Sequence, residues 1–154
     1  MKGNKKVIER LNKLLADELA AVHQYTIQSE MCSNWGYSQL AEKLRKHSLD
    51  EMKHSEKLIE RIIFLEGEPS IQSAGKFSIG KDVAEQFIQD SLSENSAIKL
   101  YNSSIKLAVE FDDEGTADLL RSILKDEEAH LDWLDSQYDL MGQIGIQIYL
   151  CEQI

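Results

Sequence analysis

Two Glu-x-x-His pairs, Glu51/His54 and Glu127/His130, are the residues of this chain best suited to hold cations. Each lies within a matching stretch, Asp50-Glu51-Met52-Lys53-His54 and Asp126-Glu127-Glu128-Ala129-His130, and the two stretches are 76 residues apart. The same offset relates Glu18 to Glu94 and Tyr25 to Tyr101. Around the motifs, Leu40 to Leu58 aligns without a gap on Thr116 to Leu134, matching Ala41/Ala117, Leu44/Leu120, Arg45/Arg121 and Leu58/Leu134. A unit of that length exceeds a solenoid repeat and suits a helical hairpin duplicated within one domain.

The chemistry follows from what such residues cost when they are brought inside. An ionised carboxylate away from water costs several kcal/mol even after relaxation. One Glu-x-x-His alone reads as a solvated charged face or a buried Glu-His pair. Two copies joined by Glu18 and Glu94 in matched register argue for metal. Two divalent cations balance the four carboxylates of Glu18, Glu51, Glu94 and Glu127. Mixed oxygen and imidazole ligation without thiolate suits iron or manganese and disfavours magnesium or calcium.

Four long helices are needed to position those side chains. Leu11, Leu14, Leu15, Ala21, Val22, Tyr25 and Cys32 form one stripe of a helix from about 4 to 34, broken at Trp35-Gly36-Tyr37. Leu40, Leu44, Leu58, Ile62 and Leu65 mark a second from about 38 to 66, stopped by Gly67-Glu68-Pro69. Residues 67–81 lack periodicity and read as a loop. At about 3.3 Å per residue it reaches about 50 Å, enough to travel a helix of about 28 residues, or about 42 Å. Asp82, with Glu85 at capping-box spacing, opens a third helix, carried by Phe87, Leu92, Ile98, Tyr101, Ile105 and Ala108 to about Phe111. After the polar turn Asp112-Asp113-Glu114-Gly115, a fourth runs through Leu120, Ile123, Leu124, Leu134 and Met141 to about Gly142. In the second and fourth helices the Glu-x-x-His pairs continue the apolar seam and point inward. Glu18 and Glu94 lie on the apolar stripes of the other two. Counted from the turns at Gly36 and Asp112, each glutamate meets its Glu-x-x-His partner at one level.

The fold class expected is all-α, one domain over 1–154, with the bundle at about 4–143 and a short fifth helix at about 145–152. The apolar tail Ile146, Ile148, Tyr149, Leu150 and Ile154 has no room in a finished four-helix bundle. It reads as a helix buried between subunits, the alternative being an extension folded back on the bundle. A net charge of -10 argues against nucleic acid and for cations, and Lys2, Lys5 and Lys6 are an ordinary solvated terminus. Cys32 and Cys151 give no disulfide framework, which favours a reducing compartment. No apolar run has the length of a signal or a membrane span, so the expected location is cytoplasmic, with no membrane partner.

At these motifs the chain resembles the bacterioferritins, within the ferritin-like di-iron carboxylate bundles that hold this donor set. The resemblance runs from Met1-Lys2-Gly3 through Leu14-Leu15, Trp35-Gly36, Asp50-Glu51-Met52-Lys53-His54, Glu60-Arg61-Ile62, Phe64-Leu65-Glu66-Gly67, Asp126-Glu127-Glu128 and Asp132-Trp133-Leu134. It implies a ferritin-like four-helix bundle with a long crossover loop, in a cytoplasmic shell of twenty-four subunits. It also implies Fe(II) oxidation by oxygen or hydrogen peroxide at a di-iron ferroxidase centre, with ferric mineral stored inside. The centre would be Glu18, Glu51, His54, Glu94, Glu127 and His130, with Glu51 and Glu127 bridging. An electron-donor ferredoxin is an expected partner for iron release. Met52 falls about 100° off the core stripe and faces outward; spacing alone makes it interface packing, whereas the resemblance makes it an axial ligand of a haem b shared by two subunits.

Other residues carry weaker signals. Tyr25, on the face of Glu18, could hydrogen-bond a ligand, donate an electron or simply pack. Trp133 reads as packing. His47 is a candidate inner iron ligand, but Lys46-His47 replaces a His-acidic pair of the family pattern, which puts the inner-surface site in doubt. His23 reads as a surface residue and Cys32 as a buried small hydrophobe. Two other functions remain open: a di-iron peroxidase or oxygenase in a smaller oligomer, and a haem-binding shell subunit without ferroxidase activity, in a mixed shell with a related chain. The lack of a Cys-x-x-Cys module counts against a rubrerythrin.

Overall fold

In a computed structural model, which describes residues 1–70 and 77–154, the chain forms helices α1 (Lys5–Asn34), α2 (Ser38–Phe64), α3 (Val83–Glu110), α4 (Glu114–Ile144) and α5 (Ile146–Cys151). The starts are capped by short polar side chains. Asn4 accepts from the Lys6 amide at 2.8 Å, Asp82 from Glu85 at 2.9 Å and Asp113 from Thr116 at 3.0 Å. Glu85 reaches back to the Lys81 amide, one residue before the cap, so the expected capping box is displaced by one position. The turn before α4 is shorter than the sequence suggests, because Asp113 is already the cap and Glu114 already helical.

The hairpin turns obey the 76-residue repeat. Gly36 ends α1 with φ 88° and Asp112, its counterpart, ends α3 with φ 56°. In both, the next amide reaches back to the helix: Tyr37 to the Cys32 carbonyl and Asp113 to the Ala108 carbonyl, each at 2.9 Å.

Cross-helix bonds fix the topology. Ser29 to the Ala41 carbonyl sets α1 antiparallel to α2, and Tyr101 to Glu18 with Gln24 to Asp90 sets α3 antiparallel to α1. The half-buried ion pair of Arg61 with Asp113, at 2.6 Å, and the bond of Arg61 to Thr116 bring the end of α2 to the start of α4. Helices α2 and α3 therefore run parallel, and the connection between them must return along the bundle. Its described ends do so: the Ser70 amide bonds Asn12 at 2.7 Å, and the Ile79 carbonyl accepts from Gln28 at 2.9 Å. Those anchors are about 24 Å apart along α1. The middle of the expected loop, 71–76, lies outside the described residues.

Apolar side chains form two separate cores. One gathers Val7, Leu11, Leu14, Leu58, Ile62 and Leu120; the other Leu40, Leu44, Phe87, Leu134, Met141 and Tyr149. The glutamates and histidines of the repeat occupy the level between them. Two expectations need correction. Leu92, taken as part of the α3 stripe, is 62% exposed. The bundle also finds room for one residue of the tail: Tyr149 is fully buried and donates to Gln137 at 2.9 Å, while Ile146, Ile148 and Ile154 stay exposed. No helix among the described residues is long and apolar enough to cross a membrane.

Candidate metal centre

All six residues singled out by the repeat converge. Glu18 comes from α1, Glu51 and His54 from α2, Glu94 from α3, and Glu127 and His130 from α4; none is more than 6% exposed. Their donor atoms form two sets, Glu18, Glu51, His54 and Glu127 in one and Glu51, Glu94, Glu127 and His130 in the other. Within each set, the atoms lie within 4.8 Å of one another. Glu51 and Glu127 belong to both.

Each histidine turns Nδ1 towards the cluster. His54 Nδ1 is 2.9 Å from Glu51 Oε2, 2.9 Å from Glu127 Oε1 and 3.4 Å from Glu18 Oε2; His130 Nδ1 is 3.1 Å from Glu51 Oε1 and 3.5 Å from Glu94 Oε1. Several of these approaches are close without the alignment of a hydrogen bond. Glu18 Oε2, Glu51 Oε1, Glu127 Oε1 and His130 Nδ1 are buried with no hydrogen-bond partner among the described residues. Four unpartnered donors at one point are costly for a bare protein. They fit a pair of cations, which supply what the lone pairs lack.

The far ring nitrogens are braced across the repeat. His54 Nε2 is 3.0 Å from Asp126 Oδ2, and His130 Nε2 is 3.6 Å from Asp50 Oδ2. The aspartate of each motif thus stands behind the histidine of the other, an arrangement that fixes the ring and raises its basicity. Tyrosines cross in the same manner. The Tyr25 hydroxyl donates to Glu94 and the Tyr101 hydroxyl to Glu18. Tyr25 thus hydrogen-bonds one of the six clustered residues. Tyr101, Asp50 and Asp126 escaped assignment, although the offset that pairs Tyr25 with Tyr101 held the signal.

Without metal the cluster holds protons. Burial and the charge of Glu51 push Glu18 up to about 8, and burial together with Glu18 and Glu51 raises Glu127 well above the carboxylate range. Burial opposes charge on Glu51 too, but the close approach of His130, His54 and Glu18 holds it below that range. For His54, burial is outweighed by Glu127, Glu18 and Glu51, which hold the imidazolium far above its usual value; for His130, Glu51 and Glu94 outweigh burial and raise it to about 10.

The centre opens to either side. A cavity of about 340 Å³ between α1 and α3 reaches Glu18, Glu94 and Glu127, with Asp17, Gln24 and Phe77 in its walls. A second, of about 230 Å³, lies between α2 and α4 beside Lys43, Lys46, His47, Asp50, Asp126 and His130. His47 is itself buried, stacked on His130 at 4.3 Å with Trp133 edge-on at 5.1 Å. Burial, with His130 and Lys43, lowers it to about 3, so it stays neutral. Met52 is 41% exposed, facing away from the cluster as expected. His23 is exposed and stacks on Phe77, and Cys32 is buried.

The chain is similar to proteins of known type over nearly all its length. The ferritin-like domain matches residues 8–144. A bacterioferritin of Brucella melitensis is 42% identical over 149 residues, covering 97% of this chain and 92% of the relative. One of Mycobacterium leprae is 40% identical over 149 residues, 97% and 94%. One of Rhodobacter capsulatus is 38% identical over 147 residues, 96% and 91%.

Proposed function

The chain belongs to the bacterioferritin family of ferritin-like domains, and on that premise we propose that it is an iron-storage protein that oxidises Fe(II) at the centre of each bundle. The observation that carries this reading is the pair of four-donor sets sharing Glu51 and Glu127. Two Fe(II) ions bound there as substrate balance four carboxylates. Together they give up two electrons, enough to reduce oxygen to hydrogen peroxide or hydrogen peroxide to water. The roles of this chain's residues follow from their positions. Glu18, Glu51 and His54 hold one ion, Glu94, Glu127 and His130 the other, and the two shared glutamates set their separation. Asp126 and Asp50 orient the imidazoles, Tyr101 and Tyr25 orient the outer glutamates, and the cavity between α1 and α3 is the entry path. Protons displaced from Glu18, Glu127 and both histidines leave as the ions arrive.

Storage requires a closed shell. Exposed Ile146, Ile148 and Ile154 around α5 support burial of this edge against further copies. Exposed Met52 supports one thioether of a haem held between two copies, where it would supply an axial ligand. The test is a stopped-flow Fe(II) titration together with light scattering. We expect fast oxidation that saturates at two irons per chain in a particle of about two dozen chains. Saturation at another stoichiometry removes the di-iron assignment, and a monomer or dimer at physiological ionic strength removes storage.

A further inference from the structure

The two histidines of the centre are held in place by different means. His54 Nε2 meets Asp126 Oδ2 at 3.0 Å, within hydrogen-bonding distance, whereas His130 Nε2 stands 3.6 Å from Asp50 Oδ2, beyond it. What His130 has instead is a flat neighbour. The ring of His47, from α2, lies on it with 4.3 Å between centres and 24° between planes. The 76-residue repeat gives His54 no such ring: the counterpart of His47 is Ile123, a fully buried member of the core that gathers Leu11 and Leu120.

His47 is itself locked. Tyr25 from α1 and Trp133 from α4 pack edge-to-face with it, at 5.2 Å and 5.1 Å between centres and 85° between planes in both cases. Trp133 in turn packs edge-to-face with Phe87 at 5.6 Å and carries the Lys43 ammonium 5.0 Å from its ring centre. Tyr25 and Phe87 are buried in the other core, with Tyr149. A continuous run of packed rings therefore joins that core to His130, and such pairs stabilise beyond what burial of their area gives. The nitrogens of His47 explain none of this. Nδ1 is buried with no partner among the described residues, and His47 belongs to neither donor set. The ring surface is what meets His130.

We propose that His47 is a positioning residue whose ring face holds the His130 imidazole with Nδ1 towards the second donor set, achieving by stacking what Asp126 achieves for His54 by a hydrogen bond. The inference rests on the metal centre proposed above and makes its two halves unequal: the ion held by Glu94 and His130 depends on a ring outside both donor sets. Loss of one aromatic pair corresponds to about three- to tenfold in affinity.

Anaerobic Co(II) titration of the full-length assembled protein, followed by absorbance, tests this. His47→Ala and His47→Leu both remove the flat face, one leaving a gap and the other filling it. Each should weaken one of the two ions by about three- to tenfold. His47→Phe keeps the face, drops both nitrogens and should restore wild-type affinity. Added to His130→Ala, His47→Leu should cost nothing further; added to His54→Ala, it should cost as much as in the wild-type background. Wild-type affinity in both His47→Ala and His47→Leu overturns the proposal. So does a loss in His47→Phe equal to theirs, which assigns the role to a nitrogen, or a loss that His130→Ala leaves undiminished. Should His47→Ala fail to fold, the Leu and Phe variants still decide. A wild-type protein that binds no pair of Co(II) ions sinks the metal-centre reading itself, a result distinct from paired binding that is indifferent to His47.

Discussion

Replacing Glu127 by Gln separates the electrostatic role of the centre from its role in packing. In the metal-free protein Glu127 is pushed well above the carboxylate range by burial and its acidic neighbours, so it is a neutral acid. Gln exchanges one neutral, near-isosteric group for another. The metal-free variant should keep its stability to within about 1 kcal/mol, or a shift of about 2–4 °C in Tm for a domain of this size. The metal-bound state is different, since Glu127 belongs to both donor sets. At about 4 Å and an effective dielectric of about 20, one lost charge costs each ion about 4 kcal/mol, close to a thousandfold in affinity. Anaerobic titration with Co(II), followed by absorbance, should show the second ion binding at least about a hundredfold more weakly. Stopped-flow oxidation of Fe(II) should lose its fast phase. Wild-type affinity for both ions, or a wild-type oxidation rate, would refute the charge balance; a collapse in Tm would refute the neutral state of Glu127.

Binding should also depend on pH. Glu18 at about 8 and His130 at about 10 must release protons to bind metal, so Zn(II) affinity should rise from pH 6 to 9, with proton release seen in weakly buffered indicator; flat affinity without release contradicts this. Asp126→Asn should weaken cation binding by about 10–100-fold, and Asp50→Asn by less, because the first aspartate sits 3.0 Å from its imidazole and the second 3.6 Å. Equal losses in the two variants count against the orienting role. Met52→Leu should abolish any haem absorbance while leaving the first turnover of Fe(II) oxidation unchanged. Retained haem assigns its ligation elsewhere.

The sequence was most informative where two periodicities agreed. Glu51, His54, Glu127 and His130 lie on an apolar seam and recur at one offset, so helix geometry and repetition point to the same interior site. Glu18 and Glu94 lie on apolar stripes and recur at the same offset, and the turns at Gly36 and Asp112 show as breaks in that periodicity. Tyr101, Asp50 and Asp126 were harder because their roles lie between helices, in approaches that no periodicity along one helix encodes. Leu92 misled for the opposite reason: an apolar residue near the right phase lines the cavity mouth, where the stripe is interrupted. Tyr149 was lost in a tail judged by its average character, although one residue of it completes the core beside Phe87 and Leu134.

The overlap of the two donor sets has a mechanical side. One set takes three residues from the α1–α2 hairpin and Glu127 from the other; the second takes three from α3–α4 and Glu51 from the first. An ion held by either set would therefore be a rivet between the halves of the molecule, placed where the apolar core is interrupted. Filling the centre would stiffen the joint between the hairpins, which side-chain bonds such as Tyr101–Glu18, Tyr25–Glu94, Gln24–Asp90 and Arg61–Asp113 also tie. On the function proposed above, a bundle built this way would stiffen and slacken with each cargo it passes.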